Sequence, residues 1–228
     1  MPPNPRRPLS PSLPELIFAP PAARLYAIVD ADVCAHHRRA PLDVARAFLS
    51  AGAKLIQLRC KSWGSADFLD LAHRIVEEGL RAQAAVIIND RADVAALSHA
   101  HGLHIGQEDL LPADARAVIG AEPILGLSTH APEQWTAAID EPISYIAIGP
   151  VYGTGTKDTG YHAVGLDTVS RASSAAARAG LPTVAIGGIT IDNALPVIEA
   201  GARSVAIISD LMQGEPEARC RALLRMLE

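Results

Sequence analysis

The chain has 228 residues, of which 49% are hydrophobic and 20% charged, with a net charge of −5. That balance excludes a disordered polymer, and the acidic charge excludes nucleic acid or an anionic membrane as the main partner. No apolar run approaches the roughly eighteen residues that a spanning helix needs, so no membrane segment is expected.

Residues 1–22 are rich in proline and lack the continuous apolar centre of a secretory signal. They read as a mostly extended tail, in which Leu16, Ile17 and Phe18 are the group able to dock on the body and plug one end of it. Residues 23–228 read as one domain. Its cysteines, Cys34, Cys60 and Cys220, are odd in number, far apart and without a CxxC pair. They are expected to be reduced thiols in a cytoplasmic protein rather than a disulfide framework or zinc cluster.

In chain order, the segments RLYAIV, AKLIQLR, AVIIN, GLHI, ILGL, SYIAIG, PTVAI and RSVAII are short, apolar and flanked by glycine, proline or polar residues, the pattern of buried strands. Between them PLDVARAFLSAG, SADFLDLAHRIVEEGLRAQ, APEQWTAAID and IDNALPVIEAG carry apolar residues at helical spacing, and EPEARCRALLRMLE closes the chain. Alternating strand and helix implies a parallel sheet, and eight repeats predict a (β/α)8 TIM barrel. An open doubly wound sheet is the runner-up. It lacks its glycine fingerprint, because DADVCAHH follows the first strand.

In such a barrel the carboxyl ends of all strands share one face, so the strand ends are where chemistry should lie. The second strand ends in QLRCK, which puts Gln57, Arg59 and Lys61 at alternate positions aimed at the mouth. Two inward cations call for a polyanionic ligand, or for acidic partners on adjacent strands. The third strand ends in Asn89 and Asp90 and the fourth leads to Asp109, so the two carboxylates should meet beside those cations. Hard oxygen ligands next to cations suit Mg²⁺ on a diphosphate; helix capping is the plainer reading of each Asp alone.

His99, His101 and His104 are not expected to bind zinc, and His104 is expected to face the interior or support the site. His36 and His37 read as solvated loop residues. The fifth strand brings Ser128, read as a hydrogen-bonding group rather than a nucleophile, with His130 either at the mouth or beside the next helix. After the sixth strand, Thr154, Thr156 and Lys157 offer hydroxyls and a cation to an anion. After the seventh and eighth, amides around Gly187 and Gly188 match the phosphate site many barrels build there.

QLRCK, NDRADVA, GLHIGQEDL, GLSTH, YIAIGPVYGTGTK, VAIGGI and VAIIS, in this order, resemble the thiamine phosphate synthase family over the whole chain after the tail. The resemblance implies condensation of 4-amino-2-methyl-5-(diphosphooxymethyl)pyrimidine with 4-methyl-5-(2-phosphoethyl)thiazole, or its carboxylated form, giving thiamine phosphate and diphosphate. By the same resemblance, Gln57, Arg59, Lys61 and Asn89 would hold the pyrimidine diphosphate and Asp90 and Asp109 would hold Mg²⁺. Ser128 would lie near the reacting carbon, and Thr154, Thr156 and Lys157 would contact phosphates. Gly188, Ile208 and Ser209 would seat the thiazole phosphate. Arg59, Lys61, Ser128 and Lys157 are the residues implied in catalysis.

Two departures stand out: Gly153 precedes Thr154 where the family often has proline, and Cys60 fills an often acidic position. The rivals are a thiazole tautomerase of the same barrel, which would need neither Mg²⁺ nor the diphosphate cluster, and a silent phosphate-binding barrel. Whether copies of the chain associate is left open.

Overall fold

A computed structural model of the chain describes Phe18 and residues 23–153 and 162–228. The eight apolar segments form β1 (Leu25–Asp30), β2 (Leu55–Arg59), β3 (Ala85–Asn89), β4 (Gly102–Ile105), β5 (Ile124–Thr129), β6 (Tyr145–Ile148), β7 (Thr183–Ile186) and β8 (Ser204–Ile207). Each pairs in parallel with the next, and β1 also pairs with β8, so the sheet closes into the expected barrel.

The helices are α1 (Ala31–His36), α2 (Pro41–Ala51), α3 (Ser65–Ala82), α4 (Ala92–Leu97), α5 (Pro112–Ile119), α6 (Pro132–Ala138), α7 (Gly165–Arg178), α8 (Ala194–Glu199) and α9 (Pro216–Leu227), with a 3₁₀ turn at Ser209–Met212. Proline at the first turn of α2, α5, α6 and α9 suits a position whose N–H has no helical partner. Among the described residues no helix is long and apolar enough to cross a membrane.

α4 and α5 follow Asp90 and Asp109, where the capping reading of each Asp places a helix, whereas α1 and α7 go beyond the sequence patterns. α1 occupies what reads as a loop: Asp30 caps it, accepting from the amides of Asp32 and Val33 at 3.1 and 3.0 Å. His36 therefore closes a helix and His37 caps it, rather than both standing in a loop. α7 buries Val169, Ala172, Ser173 and Ala176, a face at helical spacing whose mostly small residues are only weakly apolar.

Strand alternation separates the core into two layers. Inward side chains, among them Tyr26, Ile28, Leu55, Ile87, Ile124, Tyr145, Val184 and Ala206, fill the barrel. Outward ones, such as Leu25, Val29, Ile56, Leu58 and Leu103, pack under the helices with Phe48, Phe68 and Ile75. Phe18 belongs to the inner layer and is 5% exposed. Leu16 and Ile17, grouped with it in the sequence reading, lie outside the described residues. Cys34, Cys60 and Cys220 are buried free thiols, and burial pushes each up to about 12.

The amino-terminal face is stapled by Arg116. Its guanidinium donates to the carbonyls of Gly120, Ala121 and Pro123, which lead into β5, and to Pro142 and the Ser144 hydroxyl, which lead into β6. Arg116→Met strands these acceptors and should lower stability by about 1–3 kcal/mol, read as a shifted urea midpoint. An unchanged midpoint would reject this role.

Candidate active site

One half of the mouth is built by β1 to β4. Register places Asp30 of β1 beside Arg59 of β2, and their side chains form a buried ion pair. Lys61, half exposed two residues on, pairs with Asp90 after β3. Both cations thus have the acidic partners on neighbouring strands that the sequence allowed for. Even so, the buried Arg59 Nε has no hydrogen-bond partner among the described residues. A buried donor without a partner is costly, and an anion at the mouth would satisfy it.

Asp90 sits at φ 64°, in the left-handed region that Asp and Asn tolerate better than other non-glycine residues. Its amide donates to the His104 carbonyl at 2.7 Å, which ties the end of β3 to β4. The Asp109 carboxylate accepts from the Gly106 amide at 2.7 Å and shares a hydrogen bond with Asp90. Burial raises the Asp109 carboxyl above the usual range. The Gly106 amide and Lys61 oppose this, whereas the Asp90 charge and the shared bond reinforce it.

Two carboxylates this close need a proton or a cation between them. The donor set fits Mg²⁺, which binds through one or two carboxylates and takes its remaining ligands from water and phosphate. Neither Asp caps a helix here: the caps of α4 and α5 are Arg91 and Leu111, and neither makes a side-chain capping bond.

Below this layer runs a polar column. Ser128 Oγ lies 2.9 Å from His104 Nε2, and His104 Nδ1 lies 2.8 Å from the Tyr145 hydroxyl. Tyr145 meets the Tyr26 hydroxyl at 3.2 Å, and that hydroxyl accepts from Gln57 Nε2 at 2.9 Å. Gln57 is therefore one layer deeper than the mouth position that its alternation with Arg59 implied. Asn89 is buried at the end of β3, in register with His104.

The three histidines of the fourth unit diverge. His104 is interior, His101 accepts from the Val86 amide at 3.2 Å, and His99 follows α4 at φ 53°.

The other half of the mouth is a cavity of ≈ 350 Å³ lined by Ser128, His130, Gly187, Gly188, Ile208 and Ser209, among others. Gly187 and Gly188 have φ 99° and 65°, and a Cβ on Gly188 would meet the Gly153 carbonyl at 2.6 Å, so only glycine fits. Asn193 braces this turn, donating to the Gly188 carbonyl at 3.0 Å and accepting from the Thr190 amide at 2.8 Å. Asp210, paired with Arg219 at 2.7 Å, accepts from the Ile191 amide at 3.2 Å. Thr154, Thr156 and Lys157 lie outside the described residues.

Sequence reading missed Asp30, Tyr26, Tyr145, Gln107 and Asp210. Gln107 donates to the Ser128 carbonyl at 2.7 Å. The available signal for Asp30 was an acid ending the first apolar run, level with Arg59 ending the second.

A family model described as thiamine monophosphate synthase matches residues 25–211, from the start of β1 into the 3₁₀ turn. The thiamine-phosphate synthase of Koribacter versatilis is 39% identical over 206 residues, covering 90% of this chain and 95% of that protein. The chain belongs to the thiamine monophosphate synthase family. A second family relative, the thiamine-phosphate synthase of Thermus thermophilus, is 39% identical over 189 residues, 82% of this chain and 89% of its own length. Among solved structures, thiamine phosphate pyrophosphorylase from Pyrococcus furiosus superposes with a TM-score of 0.81 at 26% identity, covering 90% of this chain and 96% of that one. As a thiamine monophosphate synthase family enzyme, the chain carries both halves of the mouth within the matched span.

Proposed function

We propose that this enzyme joins the aminopyrimidine diphosphate to the thiazole phosphate, or to its carboxylated form, releasing diphosphate and forming thiamine phosphate with the help of Mg²⁺. The observation that carries this reading is the Asp90–Asp109 pair standing beside Arg59 and Lys61, across the mouth from a separate glycine-lined cavity. Two anionic substrates need two such subsites.

Arg59, with its spare Nε, and Lys61 would grip the diphosphate, and Gln57 and Asn89 would complete the pyrimidine side. Asp90 and Asp109 would hold Mg²⁺, which, when bound, neutralises charge on the diphosphate as it leaves. The carbon–oxygen bond breaks with its electron pair going to diphosphate, and the amino group of the pyrimidine supports the cationic carbon left behind. The thiazole nitrogen then donates its lone pair to form the carbon–nitrogen bond. Ser128, held by His104, would sit near that carbon. Gly188, Ile208 and Ser209 would seat the thiazole phosphate, and Thr154, Thr156 and Lys157 would add phosphate contacts. No covalent bond to the enzyme is needed; positioning and exclusion of water supply much of the rate.

The test is to incubate the purified protein with both substrates and follow thiamine phosphate and diphosphate, with Mg²⁺ and with a chelator. Product that depends on the metal is expected. No product under any metal condition would overturn the reading. Asp210→Ala, which frees the Ile191 amide and leaves Arg219 unpaired, should raise KM for the thiazole phosphate about tenfold with little change in kcat. An unaltered KM would reject its place at that subsite.

A further inference from the structure

We infer that Phe18 is a positioning residue for the reaction: its ring, packed on Tyr145 at the floor of the barrel, fixes the stack that holds His104 against Ser128 at the mouth. The inference rests on the synthase reading above, because its readout is turnover.

Tyr145 is the first residue of β6, so its ring starts at the amino-terminal end of the barrel interior, opposite the mouth. The Phe18 ring lies on it with centroids 5.3 Å apart and planes at 49°. Above it, the His104 ring is stacked 5.6 Å away at 14°, and Tyr26 meets it edge-on at 6.2 Å and 78°. The Tyr145 ring thus has an aromatic neighbour below, one above and one beside it.

Hydrogen bonds then run from its hydroxyl to His104 Nδ1 and from His104 Nε2 to Ser128 Oγ. From Phe18 to the serine at the mouth there are only three contacts.

The geometry needs something at the floor. β5 presents Gly126 where Tyr145 lies, and a Cβ there would overlap the phenol ring. The ring already fills that space against the β5 backbone, so its confinement on the other sides falls to the aromatic neighbours. Barrel interiors of this kind are packed cores rather than pores. Removal of a buried phenyl group leaves a cavity that neighbours relax into only in part.

A tilt of Tyr145 into the space that a truncated Phe18 leaves would move its hydroxyl away from His104, and displacements of about 1 Å near reacting groups can cost on the order of 10²-fold in rate. Phe18 is itself buried with the column in the inner layer. Burial pushes the hydroxyls of Tyr26 and Tyr145 well above their ordinary range, as expected for a column kept dry. A plain structural role would lower stability alone and leave kcat unchanged while the protein is folded.

The experiment uses the full chain carrying fluorotyrosine, with the Tyr145 ¹⁹F resonance assigned through Tyr145→Phe, and compares the parent with Phe18→Ala and Phe18→Leu. Rates are read at a temperature where circular dichroism shows each chain folded. Phe18→Ala is expected to lower kcat about tenfold with KM for both substrates within about twofold. Its Tyr145 resonance should shift, and Phe18→Leu should recover most of the rate.

In Phe18→Ala, either a kcat within twofold of the parent's or an unmoved Tyr145 resonance would overturn the inference. If Phe18→Ala does not fold, Phe18→Val, which also vacates most of the ring's space, carries the same two readings. Absence of product from the parent chain itself would instead remove the synthase reading, a result distinct from a Phe18 variant that keeps the parent's rate.

Discussion

Asp109→Asn is expected to reduce turnover by about 10²-fold at low magnesium, with partial recovery as magnesium is raised. Asparagine keeps an oxygen for the Gly106 amide, which Asp109 engages at 2.7 Å, so the turn after β4 should hold. What is lost is one of the two facing charges. The Asp109 carboxyl is raised by burial and then by Asp90, so its ionised form opposes folding, and that penalty grows as pH rises through its raised folded value. Removing the charge should leave the metal-free protein as stable as the parent, or more so, at neutral pH. The prediction therefore pairs a loss of metal-dependent rate with an undiminished melting temperature. Unchanged turnover across a magnesium titration would refute the assigned role.

The second large effect should come from adding a single methyl group. Gly126→Ala places a Cβ inside the space of the Tyr145 ring, with no room to retreat in a filled barrel. The strain should cost about 1–3 kcal/mol and show as a lower urea midpoint. Because the displaced ring bonds His104, activity should fall as well, measured under conditions where the variant is folded. Shortening the partner tests the cause: in the double variant Gly126→Ala, Tyr145→Leu, the two stability losses should be far from additive. Simple additivity would mean that the clash is not the source.

The sequence carried the architecture well, because eight buried strands in a closed sheet read as uninterrupted apolar runs and their order fixes which ends are neighbours. That alone brought Asp90 and Asp109 together across a helix and a strand. It could not give depth. Gln57, Arg59 and Lys61 alternate evenly in the chain, yet one lies in the barrel interior, one in a buried ion pair and one half exposed, because β2 ends at Arg59, a boundary the even alternation does not mark.

The Tyr26–Tyr145–His104 column was hidden for a related reason. Its members come from β1, β6 and β4, and they meet across the lumen rather than along any ladder. α1 escaped notice because six residues carry less than two turns of periodicity, and α7 because alanine and serine form its buried face.

Asp30 has a thermodynamic consequence for ligand capture. One oxygen of its carboxylate accepts two amides at the start of α1 and the other holds the Arg59 guanidinium, so the long arginine side chain is already immobile before any anion arrives. The rotamer entropy of that side chain is spent when the barrel folds, not when an anion binds. The capture of anions at this mouth should thus carry an unusually small ordering penalty. In calorimetry, Asp30→Ala would shift that penalty onto the binding step, as a less favourable binding entropy.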